Sequence, residues 1–192
     1  MSLALPIQAT TGSTVANPAT LAFVSNVQAG TYLYCLSDSS VLTETITGIT
    51  DTLTNTWTVV AAVNVGTSRW ECWRAPNPGA GANTVSITYS AHTVGKRIWI
   101  AEINGLGTTP TSASNTVDNT VAADPVPGAT LTVTGDGIAL VGIQLDTTNT
   151  YVAWKYSSTI PGFFFDMGGG SQSRAAMFPI SASHASFAPL ED

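Results

Sequence analysis

The strongest constraint on the fold is a two-residue alternation of apolar and hydroxyl side chains, repeated in short runs along most of the chain. In Thr84–Ser90, for example, Val85, Ile87 and Tyr89 alternate with Thr and Ser. Because successive side chains of a strand point to opposite sides, such runs predict strands with one wet face. The chain has 29 threonines and 18 serines but only 9% charged residues. We therefore expect sheets wetted by hydroxyls rather than by charges.

Turn-forming residues separate these runs. Pro76–Gly81 and Gly135–Gly137 are rich in Gly, Pro, Asn and Asp, which favour turns. Roughly ten or more short strands, spaced by about 8–12 residues, are typical of a β-sandwich or jelly roll. No amphipathic segment of helix length separates the strands, which excludes a parallel α/β fold. The sequence thus predicts one all-β antiparallel sandwich domain over residues 19–192.

Two segments depart from the alternation. Residues 1–18 are rich in Ala, Thr, Ser and Pro and have no clear period, so we expect an extended N-terminal arm. Ile138–Leu145 is almost continuously apolar, which predicts a central strand buried on both faces.

Charge and hydropathy exclude several classes of partner. The net charge is −6, and the six basic residues are scattered, with only Lys96 and Arg97 adjacent. Nucleic-acid binding needs clustered positive charge and is not expected. No stretch approaches the ~20 apolar residues of a membrane span. Residues 1–8 have no basic residue and no long apolar run, so a secretory signal is not expected. A hydroxyl-rich β-protein is suited to the outside of a cell, yet no secretory signal is expected here. This combination suggests a virion protein, made in the host cytoplasm and released by lysis.

The two cysteines and two histidines form no catalytic or metal-binding motif. Cys35 and Cys72 lie in apolar alternating segments, far in sequence from His92 and His184. A free cysteine in such a segment is usually a small buried hydrophobe, and a disulfide between neighbouring strands is the alternative. There is no Gly-x-Ser-x-Gly motif, so a serine hydrolase is not expected.

Two pairs of polar residues have both a chemical and a structural interpretation. Asp51 and Asn55 could offer oxygens to Ca²⁺, but both residue types also stabilise turns by bonding their own backbone. Glu71 and Glu102 could form a glycosidase pair, but basic neighbours suit cross-strand ion pairs on a solvated face. We favour the structural interpretation for both and expect no enzyme activity, metal or cofactor. The basic neighbours are Arg69, Arg74, Lys96 and Arg97.

The aromatic residues could form a flat platform for a sugar ring. Trp and Tyr also fill the cores of β-proteins, and we favour core packing. Trp70 and Trp73 must point to opposite faces of one strand, so at most one can join a given platform. The other candidates are Trp99, Trp154, Tyr32, Tyr34, Tyr89, Tyr151 and Tyr156.

The segment Phe163-Phe164-Phe165-Asp166-Met167, followed by three glycines, is the candidate interface. Three consecutive aromatics cannot all face inward on a strand that is wet on one side. An exposed apolar patch of this kind usually marks an interface, and a strand buried on both faces is the alternative. We expect a loop over Ile160–Gly170 that presents Phe163, Phe164, Phe165 and Met167 to a partner.

Residues 46–106 contain the runs TGITDTLTNTWTVVAAV, SRWECWRAPNPGAGANTVSITYS and KRIWIAEINGL. This block resembles a β-sandwich pattern, VTD..GNTWT / AGANTVTVTFS / I.V.E.SG, found in bacteriophage virion proteins and in secreted bacterial proteins. It covers about a third of the chain and carries no catalytic residues. Thr54 stands where the pattern commonly has Gly. The matching residues are Asp51, Asn55, Trp57, Ala80–Val85, Ile100, Glu102 and Gly105.

These observations lead to a functional hypothesis. We expect a non-enzymatic bacteriophage structural protein, most specifically a capsid decoration or cement protein that binds the major capsid protein or other virion subunits and forms a homo-oligomer. A phage tail or fibre component is one alternative. A carbohydrate-binding β-sandwich module, with a glycan as its partner, is the alternative from a different class.

Overall fold

The computed structural model describes residues 5–65, 67–77, 79–91 and 94–105, and the strand backbones of 137–144, 151–156, 165–169, 173–180 and 187–191. All regular elements in these ranges are strands, in agreement with the predicted all-β class. Their bounds are β1 (Leu5–Thr14), β2 (Ala19–Ala22), β3 (Thr31–Ser39), β4 (Ile46–Asp51), β5 (Thr58–Val65), β6 (Ser68–Asn77), β7 (Thr84–Tyr89), β8 (Lys96–Asn104), β9 (Gly137–Gln144), β10 (Tyr151–Tyr156), β11 (Phe165–Gly169), β12 (Ser173–Ile180) and β13 (Phe187–Glu191).

Two antiparallel sheets form the sandwich. The larger sheet has the strand order β1-β8-β3-β6-β5, and the smaller sheet has the order β2-β7-β4. Strands of the second half of the chain form a three-stranded sheet, β11-β12-β9, and a two-stranded pair, β10-β13. Every described strand pairing is antiparallel, which fits the hairpin-like spacing of the sequence.

A core of apolar side chains fills the space between the two sheets of the sandwich. The five-stranded sheet contributes alternate residues of its central strands, and the three-stranded sheet contributes the apolar half of each alternating run. The Val, Ile and Tyr residues of β7 are all buried, as the alternation predicts. The principal members are Leu33, Cys35, Ala75, Ile98 and Ile100 on one side and Ala19, Ile46, Ile49, Val85, Ile87 and Tyr89 on the other.

The opposite face of the five-stranded sheet is also apolar. Trp70 of β6 and Trp99 of β8 stack there, with ring centroids 5.5 Å apart and planes 9° from parallel. Trp99 is 0% exposed, so this face is covered as well. Trp73, three residues after Trp70, packs instead against the core between the sheets. The prediction that these two tryptophans point to opposite faces is therefore confirmed.

The N-terminal segment is partly a strand of the sheet. Leu5–Thr14 pairs with β8 along its whole length, with one register shift between Pro6 and Gln8. Over these residues the expected extended arm is a strand, held by pairing with β8 of the same chain. The boundary between residues 18 and 19 stays a prediction.

Two predictions about the second half of the chain need correction. The strand expected at Ile138–Leu145 exists as β9, but β12 and not β9 is central in the described sheet. An apolar run indicates burial of the two faces and does not report the lateral position of a strand. The expected loop over Ile160–Gly170 is a strand from Phe165 to Gly169, which pairs with β12 despite its glycines.

The two cysteines are free. Cys35 lies in the core between the sheets, and Cys72 packs on the opposite face of the five-stranded sheet, so the two thiols cannot meet. The prediction of free apolar cysteines is confirmed. Burial raises the pKa of the Cys72 thiol to about 12. Burial, reinforced by Cys72 and Glu71, raises the pKa of Cys35 even further.

We expect the raised thiol pKa values to weaken the fold in alkali. Above the ordinary thiol value of 9.0 the unfolded chain loses protons that the folded chain keeps, so the free energy of unfolding falls with pH. Each such group contributes a slope of about 1.4 kcal/mol per pH unit. Urea unfolding between pH 8 and 11 should show a shallower decline for Cys35→Ala than for the wild type, each relative to its own value at pH 8. Equal slopes would contradict the assignment.

Candidate functional site

The loop that follows β4 contains the predicted turn or calcium residues. The Oδ1 atom of Asp51 accepts hydrogen bonds from the backbone N–H groups of Leu53 (3.1 Å) and Asn55 (3.0 Å). Its Oδ2 atom accepts from Asn55 Nδ2 (2.9 Å) and Trp57 Nε1 (3.0 Å). Both carboxylate oxygens are therefore engaged by the loop itself, and the turn interpretation is confirmed. Within the described residues, no group of three or more His, Cys, Asp or Glu side chains could hold a metal ion.

The same loop explains one position of the sequence pattern. Thr54 has a φ of 58°, the left-handed region that glycine adopts freely and a β-branched residue adopts only under strain. It is the position at which the pattern commonly has Gly. The Gly of the pattern is the residue that this backbone angle favours.

A buried polar cluster lies at one end of the space between the sheets. We define the Glu102 cluster as the buried side chains of Gln8, Thr31, Asn77 and Glu102 together with the backbone of Gln28, whose side chain is exposed. Glu102 of β8 is 0% exposed. Its carboxylate accepts hydrogen bonds from Gln8 Nε2 (2.7 Å), the backbone N–H of Gln28 (2.6 Å) and Thr31 Oγ1 (3.0 Å). These donors come from β1, from the segment before β3 and from β3.

Asn77 connects the Glu102 cluster to the loop after β4. Its Nδ2 atom donates to the carbonyl of Gln28 at 2.7 Å, and its Oδ1 atom accepts from Asn55 Nδ2 at 3.2 Å. Asn55 in turn donates to Asp51. One continuous network of hydrogen bonds thus holds β1, β3, β6, β8 and the loop after β4 in register at this end of the sandwich.

A second buried cluster lies at the other end. We define the Lys96 cluster as Ser37, Ser39, Glu44, Tyr89 and Lys96. Lys96 Nζ lies 2.8 Å from Glu44 Oε1, donates to the carbonyl of Val94 at 3.1 Å, and lies 4.9 Å from the centre of the Tyr89 ring. Both charged side chains are completely buried. Ser39 Oγ donates to Glu44 Oε2 at 3.2 Å.

The hydroxyl group of Tyr89 completes the Lys96 cluster. It lies 2.7 Å from Ser37 Oγ. Burial, with a smaller contribution from Cys35, raises the pKa of Tyr89 well above its ordinary value. The phenol therefore keeps its proton further into the alkaline range than an ordinary tyrosine, and acts as a hydrogen-bonding core residue.

Glu71 and Glu102 do not form a catalytic pair. They lie opposite Ser37 and Leu33 of β3, on the two strands that flank it. Four residues along a strand correspond to about 13 Å, and two strand spacings correspond to about 10 Å. The carboxyl groups of a glycosidase lie ~5–9.5 Å apart. The pair is therefore too far apart for that chemistry.

The surroundings of both glutamates correct part of the prediction. Both are buried between the sheets rather than on a solvated face. Glu71 is 3.5 Å from Arg69 Nε, but both residues belong to β6, so this is not the expected cross-strand pair. Glu71 also accepts hydrogen bonds from the backbone N–H of Ile46 at 3.0 Å and from Trp73 Nε1 at 3.2 Å. Glu102 has the same strand parity as Ile98 and Ile100, so its side chain lies on the core face of β8 and not on the solvated face that we expected.

Several aromatic residues proposed for a sugar platform pack in cores. Trp70, Trp99 and Tyr89 are buried, and the stacked pair of Trp70 and Trp99 is covered. Core packing is confirmed for these three. Tyr32, Tyr34 and Trp73 are half-buried, and Trp73 and Tyr34 pack against the two cores. Trp154, Tyr151, Tyr156, Phe165 and Met167 belong to strands described as backbone, and His92, His184, Phe163 and Phe164 lie outside the described residues.

Three residues of the two buried polar clusters were not recognised from the sequence. Gln8 lies in the presumed arm, Glu44 in a threonine-rich run, and Lys96 was considered only as a neighbour of Glu102. Gln8 meets Glu102 across 94 residues of sequence, and Lys96 and Glu44 are brought together only by the packing of the two sheets. No local motif marks such contacts.

No family model matches the chain, and neither curated proteins nor solved structures give a match. In the part of the chain that the structure describes, no helix is long and apolar enough to cross a membrane.

We expect Thr54→Gly to stabilise the protein. A non-glycine residue in the left-handed region costs about 1–2 kcal/mol, whereas glycine loses roughly 0.5–1 kcal/mol more chain entropy than alanine on folding. The net gain should be about 0.5–1 kcal/mol in the free energy of unfolding, measured by urea denaturation. Thr56→Gly is the matched control, since Thr56 is also exposed but has no positive φ. It should destabilise, and a loss of stability in both variants would contradict the strain.

We expect Lys96→Met to destabilise the protein by about 3–5 kcal/mol, because it leaves Glu44 as a buried charge without its partner. The double variant Glu44→Leu/Lys96→Met removes both charges and should recover most of the loss. Urea denaturation of the wild type, each single variant and the double variant gives the coupling energy. Additive effects of the two substitutions would show that the pair is not coupled.

Proposed function

We propose that this chain is a non-enzymatic structural protein of a bacteriophage particle, most specifically a capsid decoration protein. One observation carries the structural part of this proposal. The described residues that match the virion-protein pattern are engaged in holding the fold: Asp51 organises the loop after β4, Asn55 connects it to Asn77, and Glu102 ties three elements together. Residues used in this way support an assembly role rather than a catalytic one.

The exposed face of the sheet β2-β7-β4 is suited to the outside of a particle. Strand parity directs its polar residues away from the core formed by Ile49, Val85 and Ile87. They are small hydroxyl residues without charge, which keep a sheet face hydrated. We assign this face to the solvent side of the shell. Its residues are Thr20, Thr50, Thr84, Ser86 and Thr88.

The partners follow from the same proposal. The major capsid protein, or another virion subunit, would bind the candidate interface of Phe163, Phe164, Phe165 and Met167, and copies of the chain would associate with one another. A tail or fibre component would use the same kind of surface. A carbohydrate-binding role needs an exposed aromatic platform, and the stacked Trp70–Trp99 pair is buried, which favours the capsid proposal.

The test of location is direct. Phage particles are purified by density gradient from a lysate of cells that produce this chain, and their proteins are identified by mass spectrometry. Cryo-electron microscopy then determines where on the particle the chain lies. We expect a fixed stoichiometry with the major capsid protein. Absence from purified particles would contradict the proposal, and density confined to the tail would move it to the tail or fibre alternative.

The contact surface is tested by substitution. We expect Phe164→Ser to weaken binding of the purified protein to particles that lack it, because burying one Phe at a boundary is worth about 1.5–3 kcal/mol. Val24→Ser is the matched control, since Val24 is 79% exposed and lies between β2 and β3. Equal binding by both variants would place the contact elsewhere, and a large drop in the melting temperature of Phe164→Ser would identify Phe164 as core. Deleting residues 1–18 is a poorer probe because it removes β1.

A further inference from the structure

The edge strand β5 has an unusual composition for an exposed sheet edge. Its sequence, TVVAAVNV, contains no charged residue, no proline and no glycine. Its residues are mostly β-branched or small, which favours strand pairing. Val59 is 54% exposed, and Ala62 is exposed as well. The strand therefore presents apolar side chains and a β-forming backbone to its surroundings.

The position of β5 leaves one side of its backbone for a partner. Among the described strands, β5 pairs with β6 alone and ends the five-stranded sheet. The strand at the other end of this sheet, β1, is approached by β11. An edge strand presents a row of N–H and C=O groups that can pair with another strand.

Proteins usually protect such an edge with charges, proline or a bulge. In β5 a register shift between Val59 and Ala61 is the one such feature. After it, Ala61–Val65 runs in continuous register with Cys72–Ser68 of β6. The protection therefore covers only the first part of the strand, and five regular residues remain suited to pairing.

We propose that Ala61–Val65 pairs antiparallel with the same segment of a second copy of this chain, which joins the two five-stranded sheets into one continuous sheet. A two-fold axis at Val63 places Val63 opposite its own copy, Ala61 opposite Val65, and Ala62 opposite Asn64. Such an isologous contact brings identical residues together, and this segment has no charge that would repel its own copy.

The surroundings of the segment favour a second copy over an unrelated strand. The charged residues of β6 opposite the segment, Arg69 and Glu71, are paired with each other at 3.5 Å. Arg69 also donates to Asn64 Oδ1 at 3.1 Å, which holds that side chain against its own sheet. The edge thus offers no unmatched charge with which to select a charged partner segment, while small Ala and β-branched Val side chains fit against themselves.

Ala62 allows a charge-swap test. Its side chain is exposed, so substitution should leave the sandwich folded. Across an antiparallel pair with its axis at Val63, residue 62 lies diagonal to residue 62 of the copy, about 7–8 Å away between Cα atoms and within reach of long side chains. Ala62→Lys and Ala62→Glu should therefore each repel their own copy, whereas an equimolar mixture should attract.

Sedimentation equilibrium of the purified full chain at low salt measures the dissociation constant of the dimer. We expect a wild-type dimer, at least tenfold weaker dimerisation for each Ala62 variant, and recovery in the mixture of the two. Thr88→Lys is the control, since Thr88 is exposed on the central strand β7 and the variant has the same net charge as Ala62→Lys. It should dimerise like the wild type. Circular dichroism and melting curves show that each variant is folded.

The contrary outcomes are distinct. A wild-type protein that stays monomeric, or an Ala62→Lys variant that dimerises like the wild type, would overturn the inference. Two folded monomeric variants that do not recover on mixing would overturn the antiparallel self-pairing. The inference does not rest on the virion proposal. Absence of the chain from particles would leave the dimer measurement unaffected, and a monomer bound to particles would overturn only this inference.

Discussion

The architecture depends on a carboxylate that is completely removed from water. A buried ionised carboxylate is tolerated only when hydrogen bonds or charges compensate for its lost hydration. Glu102 obtains three donors, and each comes from a different segment: β1, the residues before β3, and β3 itself. Its burial therefore specifies how these segments meet. Through Asn77 and Asn55 the same network fixes the loop after β4.

At the opposite end of the sandwich the lost hydration of buried polar groups is again compensated, in this case by an ion pair. Lys96 and Glu44 neutralise each other at 2.8 Å, and Tyr89 and Val94 satisfy the remaining contacts of the ammonium group. The space between the sheets is thus apolar in its middle and polar at both ends. Buried polar groups of this kind add little net stability compared with apolar packing, but a misplaced one is costly. They favour one register of the strands over its alternatives.

This arrangement bears on function. In the described part of the chain, the polar and ionisable side chains of the Glu102 and Lys96 clusters are buried and hydrogen-bonded. The exposed surface of this part includes hydroxyl faces, loops and strand edges. A strand edge of this kind is suited to association with another strand. The proposed pairing through β5 uses such a strand edge, and the proposed attachment to a particle involves a different segment and a different partner.

The sequence by itself determined the all-β class, the antiparallel sandwich, the parity of β7 and the turn role of Asp51, because alternation and turn chemistry are local properties. It also placed Trp70 and Trp73 on opposite faces. Only the tertiary structure decided that Leu5–Thr14 joins the sheet, that β12 rather than β9 is central among the described strands of its sheet, and that Glu44 meets Lys96. These depend on contacts between distant segments, where burial and pairing energies outweigh local preference. Strand parity tells which residues share a face, but only packing determines what that face meets.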